Sequence, residues 1–259
     1  MNNYDFLKEY YKLQSGIMFD RLIDVGYGLL GYCKGDPSAF WNNLLTNRVL
    51  TEQQISETEI KFGELSRSSA IYFESTVDIK PLAELLGSKK YKLTNEDSLM
   101  FYDGAMIDKN FLDNVKQVIS KDDLELFLKT FDACYQNGDP QNPYGELGAY
   151  LNVARDVWEK FQGTNRLEYF LAFKNGQPVA VSTLTNFGAI GYISNVGSLP
   201  EVRGEGYGKK ATLYAVNKSM VNENKMHFLA TEEGTYPNEF YKKIGFHTKF
   251  KAILYVKEV

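Results

Sequence analysis

Apolar residues recur at helical spacing through YGELGAYLNVARDVWEKF, which predicts an amphipathic helix over 144–161. An earlier pattern, LELFLKTFDACYQ, opens on Asp122 and Asp123 and predicts a helix with acidic residues at its positive end. VKQVIS (115–120) before it reads as a short strand, and NGDPQNP (137–143) between the two helices reads as a loop. The period then changes. LEYFLAF and PVAVSTLTNF flank Lys174-Asn175-Gly176-Gln177, and two β-rich runs around Asn-Gly predict a hairpin. Phe187-Gly188 turns the chain into a third strand, AIGYISNVGSL. A helix over 207–223, a strand over 227–232, a short helix from Pro237 and a strand over 251–256 follow. The order β-α-α-β-β-β-α-β-α-β is a mixed α/β pattern with an antiparallel meander, unlike the alternation of a doubly wound sheet.

The first half carries a weaker pattern with an internal echo. Residues 69–103 read strand, proline-started helix, Leu-Leu-Gly, polar turn, strand, and residues 226–258 read the same way. Setting Gly87 against Gly245 puts Leu86 on Ile244, Leu82 on Phe240 and Ala83 on Tyr241. An internal repeat is one reading and two unrelated strand–helix–strand units are the other. The polar stretch GAMIDKNFLDN (104–114) marks the expected boundary, with domains over 1–110 and 111–259.

Between the third strand and the helix at 207 stands LPEVRGEGYGKKA, with Gly204, Gly206 and Gly208 behind Arg203. The spacing is not that of a P-loop, which needs Ser or Thr after Gly-Lys, nor that of a GxGxxG fingerprint. Glycines alone suit a plain turn. The strand before them, the stop at Pro200 and the helix after them favour a cradle in which backbone N–H groups and the helix N-terminus converge on a pyrophosphate. Lys209 and Lys210 sit unfavourably in the first helical turn unless an anion binds there.

Composition narrows the classes. Hydrophobic residues at 44 % and charged residues at 24 % provide both a core and a solvated surface. No run of about 18 apolar residues predicts a membrane span, and MNNYDFLKEYYKLQ lacks the pattern of a secretory signal. A net charge of −4 argues against a nucleic-acid partner. Two cysteines far apart, Cys33 and Cys134, and two histidines make a metal site unexpected. The expectation is a cytoplasmic protein with no metal, no membrane and no nucleic acid, as a monomer or homodimer.

The run VGSLPEVRGEGYGKKA (196–211) resembles the acyl-CoA loop of the GCN5-related N-acetyltransferase family, Gln/Arg-x-x-Gly-x-Gly/Ala. FYKKIGF (240–246) is similar to that family's Tyr-x-x-x-Gly-Phe element at the usual distance downstream, and the element order over 115–256 fits. The resemblance implies an α/β fold with a mixed, mostly antiparallel sheet flanked by helices, preceded by an N-terminal α/β domain that reads as a degenerate copy. It implies acetyl-CoA as co-substrate, with the pantetheine arm between strands 189–198 and 227–232. Backbone groups of Val196, Gly197 and Ser198 would meet that arm, and a backbone N–H beside Val196 would polarise the thioester carbonyl. The N–H groups of Arg203, Gly204, Glu205, Gly206, Tyr207, Gly208 and Lys209 would hold the pyrophosphate. Tyr241 would be the general acid and a small-molecule or peptide amine the acceptor. The strand AIGYISNV has no carboxylate where many members carry a Glu base, which leaves Glu232 or Glu233 acting through water. Gly234 stands where many members have an Asn. The alternatives are a non-catalytic acyl-CoA-binding module that keeps the loop without the chemistry, and transfer of a longer acyl or aminoacyl group.

Overall fold

A computed structural model describes residues 1–104 and 106–258. The chain divides into two compact units, Met1–Leu99 with Thr248–Val259, and Met100–His247. The single cut expected within 104–114, where Ala105 lies outside the described residues, is replaced by two crossings, because the last strand pairs inside the first unit.

Unit 1 begins with helix α1 (Asn3–Gln14), capped by the Asn2 side chain, and an antiparallel meander of β1 (Arg21–Asp24), β2 (Leu29–Tyr32) and β3 (Asn43–Leu45). Helix α2 (Glu52–Glu64) leads to β4 (Ala70–Glu74), which runs parallel to β3 with Leu44 opposite Ile71. Helix α3 (Lys80–Ser88), with Pro81 in its first turn, precedes β5 (Tyr91–Tyr102), whose last residues lie in unit 2. The strand order is β1-β2-β3-β4-β11-β5, where β11 (Phe246–Lys257) closes the chain and pairs antiparallel to β4, Ala252 opposite Glu74. Phe62, Phe73, Leu82 and Leu86 fill the core with no exposed surface. Each contributes on the order of 1.5–3 kcal/mol by its burial.

Unit 2 contains β6 (Val115–Gln117), α4 (Lys121–Cys134), α5 (Tyr150–Phe161), and the meander β7 (Leu167–Lys174), β8 (Gln177–Phe187) and β9 (Ile190–Ser198). Then come α6 (Tyr207–Val221), β10 (Met226–Glu232) and α7 (Tyr236–Lys243), in strand order β10-β9-β8-β7-β6. The hairpin stands where Asn175-Gly176 predicts it: both residues have positive φ, 51° and 79°, as a two-residue turn between right-twisted strands requires. Gly188 and Ala189 repeat the device between β8 and β9. Ser120 and Asp123 form a capping box at the start of α4.

Two predicted elements change. The helix expected over 144–161 begins only at Tyr150, because Gly145 and Gly148 adopt positive φ and break the apolar pattern's first turns. The echo also shifts register. Gly87 lies inside α3, and the residue that turns α3 into β5 with positive φ is Lys90, at 65°. Its counterpart between α7 and β11 is Gly245, at 106°, so Leu86 rather than Ala83 stands in the place of Tyr241. The broader echo is plain in the topology, since each unit follows an antiparallel three-strand meander with a helix and a strand parallel to the third.

Candidate active site

Strands β9 and β10 pair in parallel only from Ile190 opposite Met226 to Tyr192 opposite Phe228. Beyond that point no further pairing joins them among the described residues, although β9 stays paired to β8 as far as Ser198. A bulge opposite Ser182, with Asn195 at φ 51°, interrupts the regular ladder of β9 just beyond the end of its pairing with β10. The expected gap between strands 189–198 and 227–232 therefore has a local cause.

The glycine loop lies at the end of β9. Pro200–Val202 forms one turn of 3-10 helix, and Gly206 is the N-cap of α6 with φ 89°, in the left-handed region. Gly204 shares that conformation at 83°. A Cβ built on either residue meets nothing within 4 Å, so backbone conformation and not crowding calls for glycine there. No side chain caps α6. The N–H of Arg203 donates to Pro200 O and that of Glu205 to Val202 O. The N–H groups of Gly204, Gly206, Tyr207, Gly208 and Lys209 meet no acceptor among the described residues. Of the seven N–H groups predicted to meet a pyrophosphate, five are thus open, at the positive end of a 15-residue helix. Such a donor set fits a pyrophosphate.

Side chains brace this loop. Arg203 makes a two-pronged ion pair with Asp139, Nη1 to Oδ1 at 2.7 Å and Nη2 to Oδ2 at 2.5 Å. The guanidinium holds the Asp139 carboxyl below its ordinary range. Arg203 is thereby a clamp on the loop between α4 and α5, with its charge still beside the amides. Glu205 is held by Lys174 Nζ at 2.7 Å. Lys209 and Lys210 place their ammonium groups over the ring of Phe111 at 5.4 and 5.6 Å, and Lys210 donates to Asp113 O. Tyr207 packs against the unit's core. The carbonyl of Gly208 accepts from Thr212 Oγ1, and a Cβ on Gly208 would stand 3.7 Å from Ser198 Oγ, in ordinary contact.

Val196 and Gly197 acquire a further reason for their identity. The Tyr135 hydroxyl donates to the Val196 carbonyl at 2.8 Å. A Cβ on Gly197 would lie 2.6 Å from Cys134 Cβ, so glycine admits the end of α4 against β9. Burial pushes the Cys134 thiol up to about 12, which keeps it protonated and inert.

Tyr241, on α7, is 9 % exposed and shares a buried cluster with Ile193 of β9 and Leu229 of β10, one from each diverging strand. Burial, reinforced by the phenols of Tyr144 and Tyr192, raises its hydroxyl well above the ordinary phenol range. Glu232 ends β10. Its carboxylate meets no partner among the described residues, and partial burial raises it above the usual carboxylate value. Tyr144 links the two, because its hydroxyl lies 3.1 Å from Thr231 Oγ1, accepts from the Glu232 N–H at 3.4 Å and adds to the field at Tyr241. Tyr135 and Tyr144 escape sequence reading, since their roles come from residues 61 and 87 positions away. Asp139 escapes in the same way, 64 positions from Arg203. Gly234 has φ 75°, so any residue with a side chain would be strained there. No group of three or more metal-ligating side chains occurs among the described residues, and no helix among them is long and apolar enough to cross a membrane.

Comparison with known proteins gives this geometry a context. Residues 126–246 match the model of the acetyltransferase (GNAT) family. No curated protein matches the chain significantly in sequence. Among solved structures, a conserved protein of unknown function from Staphylococcus epidermidis aligns at a TM-score of 0.67 and 17 % identity, over 93 % of this chain and 95 % of its own. A GCN5-related N-acetyltransferase from Kribbella flavida aligns at 0.67 and 15 % identity, over 100 % and 97 %. Another from Sphaerobacter thermophilus gives 0.62 and 12 %, over 97 % and 85 %. At these identities the likeness is one of fold, and it extends over both units.

Proposed function

Because residues 126–246 match the model of the acetyltransferase (GNAT) family, we propose that the protein transfers an acetyl group from acetyl-CoA to a primary amine of a small molecule or peptide. The observation that carries this reading is the set of five open amides on Gly204, Gly206, Tyr207, Gly208 and Lys209, beside the gap between β9 and β10.

Acetyl-CoA, when bound, supplies an acetyl carbon activated as a thioester. The five amides hold its pyrophosphate, and Arg203, fixed by Asp139, adds positive charge without reaching for it. The diverging edges of β9 and β10 receive the pantetheine arm, with the Tyr135 hydroxyl already on one lone pair of the Val196 carbonyl and the second lone pair left to the arm. Tyr241 carries its proton at neutral pH and hydrogen-bonds the sulfur as charge develops there, passing the proton as the carbon–sulfur bond breaks. Glu232, unpartnered and raised by burial, takes the proton that the amine loses, through a water. The N-terminal unit is in this reading a degenerate copy of the same fold.

One observation favours a second reading. β9 carries no carboxylate, which suits a module that binds acyl-CoA without catalysis. Calorimetry of acetyl-CoA against the native protein and Gly206→Val tests the shared premise, since valine strains a residue at φ 89° and crowds the phosphate. Binding that disappears in a folded variant supports the cradle, and absence of binding to the native protein rejects both readings. Release of thiol with any member of an amine panel then decides for catalysis.

A further inference from the structure

The loop between α4 and α5 closes on itself around one side chain. Asn142 Nδ2 donates to Gln136 O at 3.3 Å and to Gly145 O at 2.9 Å, which draws the loop's two limbs together. The Glu146 N–H then reaches across to Asn137 Oδ1 at 3.2 Å. Gly145, at φ 70°, admits this approach, since a Cβ there would stand 2.7 Å from Asn137 Oδ1. Asn137 and the glycine that follows it, Gly138, are both exposed. The Asn137 Nδ2 group and the Gly138 N–H meet no acceptor among the described residues.

These groups are the parts of an intramolecular acyl transfer. The Gly138 nitrogen is a nucleophile with no competing partner, tethered next to the Asn137 carboxamide carbon. Glycine shields that nitrogen less than any other residue would. The carboxamide oxygen, where negative charge develops during attack, already accepts an N–H, as an oxyanion does. The departing Nδ2 faces water. A second Asn-Gly pair, Asn175-Gly176, offers a comparison within the chain. It is equally exposed, but it closes the hairpin whose last pair is Lys174 opposite Gln177, and no N–H donates to the Asn175 side chain among the described residues.

We propose that Asn137-Gly138 is a site of self-modification, at which the folded loop converts asparagine into aspartate and isoaspartate. The Gly138 nitrogen loses its proton to solvent and bonds to Asn137 Cγ. The Cγ–Nδ2 bond breaks, and ammonia leaves with, in balance, the proton that the nitrogen gave up. Water then opens the cyclic imide at either carbonyl. One opening gives aspartate, and the other gives isoaspartate, with the side chain now in the backbone. No oxidant, reductant or cofactor enters. Either product puts a carboxylate two residues before Asp139, which pairs with Arg203, and isoaspartate also adds a carbon to the backbone there. The loop that clamps Arg203 thus carries a slow change that runs in one direction only.

The test uses the full-length protein without acetyl-CoA, so its outcome is independent of the cofactor reading. The protein is incubated in neutral buffer made with heavy-oxygen water, and peptide mass spectrometry follows the uptake of label at each Asn-Gly pair. Labelled methyl transfer by an isoaspartyl methyltransferase counts the isoaspartate. In the folded protein Asn137 should convert several-fold faster than Asn175. In the chain unfolded by urea, where only the shared Asn-Gly sequence remains, the two rates should converge. Glu146→Pro, which removes the donating N–H, should bring the rate at Asn137 down to that at Asn175. Asn142→Ala, which releases the two limbs of the loop, should act in the same direction even if the proline variant fails to fold. The proposal is overturned if Asn137 stays unmodified in the folded protein or reacts no faster than Asn175. It is equally overturned if the difference persists in full in urea, or if the folded variants leave the rate at Asn137 unchanged.

Discussion

Helices α2 and α6 hold the same place in their units, each crossing between two parallel strands, β3 to β4 and β9 to β10. Their N-termini differ in one respect. α2 starts behind Thr51, whose hydroxyl accepts from the Gln54 N–H at 3.2 Å while the Gln54 side chain accepts from the Thr51 N–H at 2.9 Å. α6 starts behind Gly206, which has no side chain to offer. A capping box stabilises a helix by roughly 0.5–2 kcal/mol and fills the donors an anion would use. One unit thus keeps the stability and closes the end, and the other forgoes it and leaves five amides open. A second difference follows four residues before each helix-to-strand turn, where unit 1 has Leu86 and unit 2 has Tyr241. Within one topology, the choice of cap and of one aromatic hydroxyl separates a packing element from a candidate site.

That comparison breaks most sharply at Tyr241. Tyr241→Phe should lower turnover by about 10²–10⁴-fold with acetyl-CoA affinity retained, as steady-state kinetics and calorimetry would read. Normal turnover would reduce Tyr241 to the packing role of Leu86. Leu86→Ala, at a fully buried position, should instead cost roughly 2–5 kcal/mol of stability in denaturant titration without a specific effect on the reaction.

The pH profile comes next. Because burial raises the Glu232 carboxyl above its ordinary 4.5, the rate should climb with pH as that group loses its proton, with the acid limb above 4.5. Glu232→Gln should remove the limb, and a limb that persists unchanged would assign the base elsewhere. Smaller still is Thr51→Ala, expected to cost about 1 kcal/mol in thermal unfolding and to leave acetyl-CoA affinity untouched. A change in affinity would show that the two helix ends are not as separate in role as their caps suggest.

The smallest effect concerns the Arg203–Asp139 pair. The folded value of Asp139 is lowered by the guanidinium, so its stabilisation is complete above the ordinary 3.8 and is lost as pH falls through the lower folded value. Arg203→Gln should therefore cost roughly 0.5 kcal/mol at neutral pH, with the difference from the native protein vanishing in strong acid.

Local chemistry made much of unit 2 legible. Asn175-Gly176 specifies its hairpin because both residues tolerate positive φ, and Gly204 and Gly206 announce a loop for the same reason. The start of α5 was not legible, since glycine within an apolar pattern looks the same whether the helix tolerates it or, as at Gly145 and Gly148, ends before it. The repeat was legible as an order of elements and misread in register, because Gly87 resembles Gly245 in sequence while Lys90 resembles it in φ. The bracing of the loop was hidden altogether. Asp139 reads as one acid in a polar loop, and only the fold brings it to Arg203. Gly197, expected to meet a cofactor, is also required by the approach of Cys134, a contact that no spacing predicts.

The place of β11 bears on how the protein is made. Its pairing with β4 joins Ala70 to Val256, so the first unit's sheet is closed by a strand synthesised only after the second unit. Domains ordinarily fold as they emerge, N-terminal first, at about 5–20 residues per second. Here the nascent first unit waits, with one edge of β4 exposed through the synthesis of everything between. During that interval the edge is open to another chain's strand, and the polysome, where many copies of that edge are held close together, is where this protein is most exposed to mispairing.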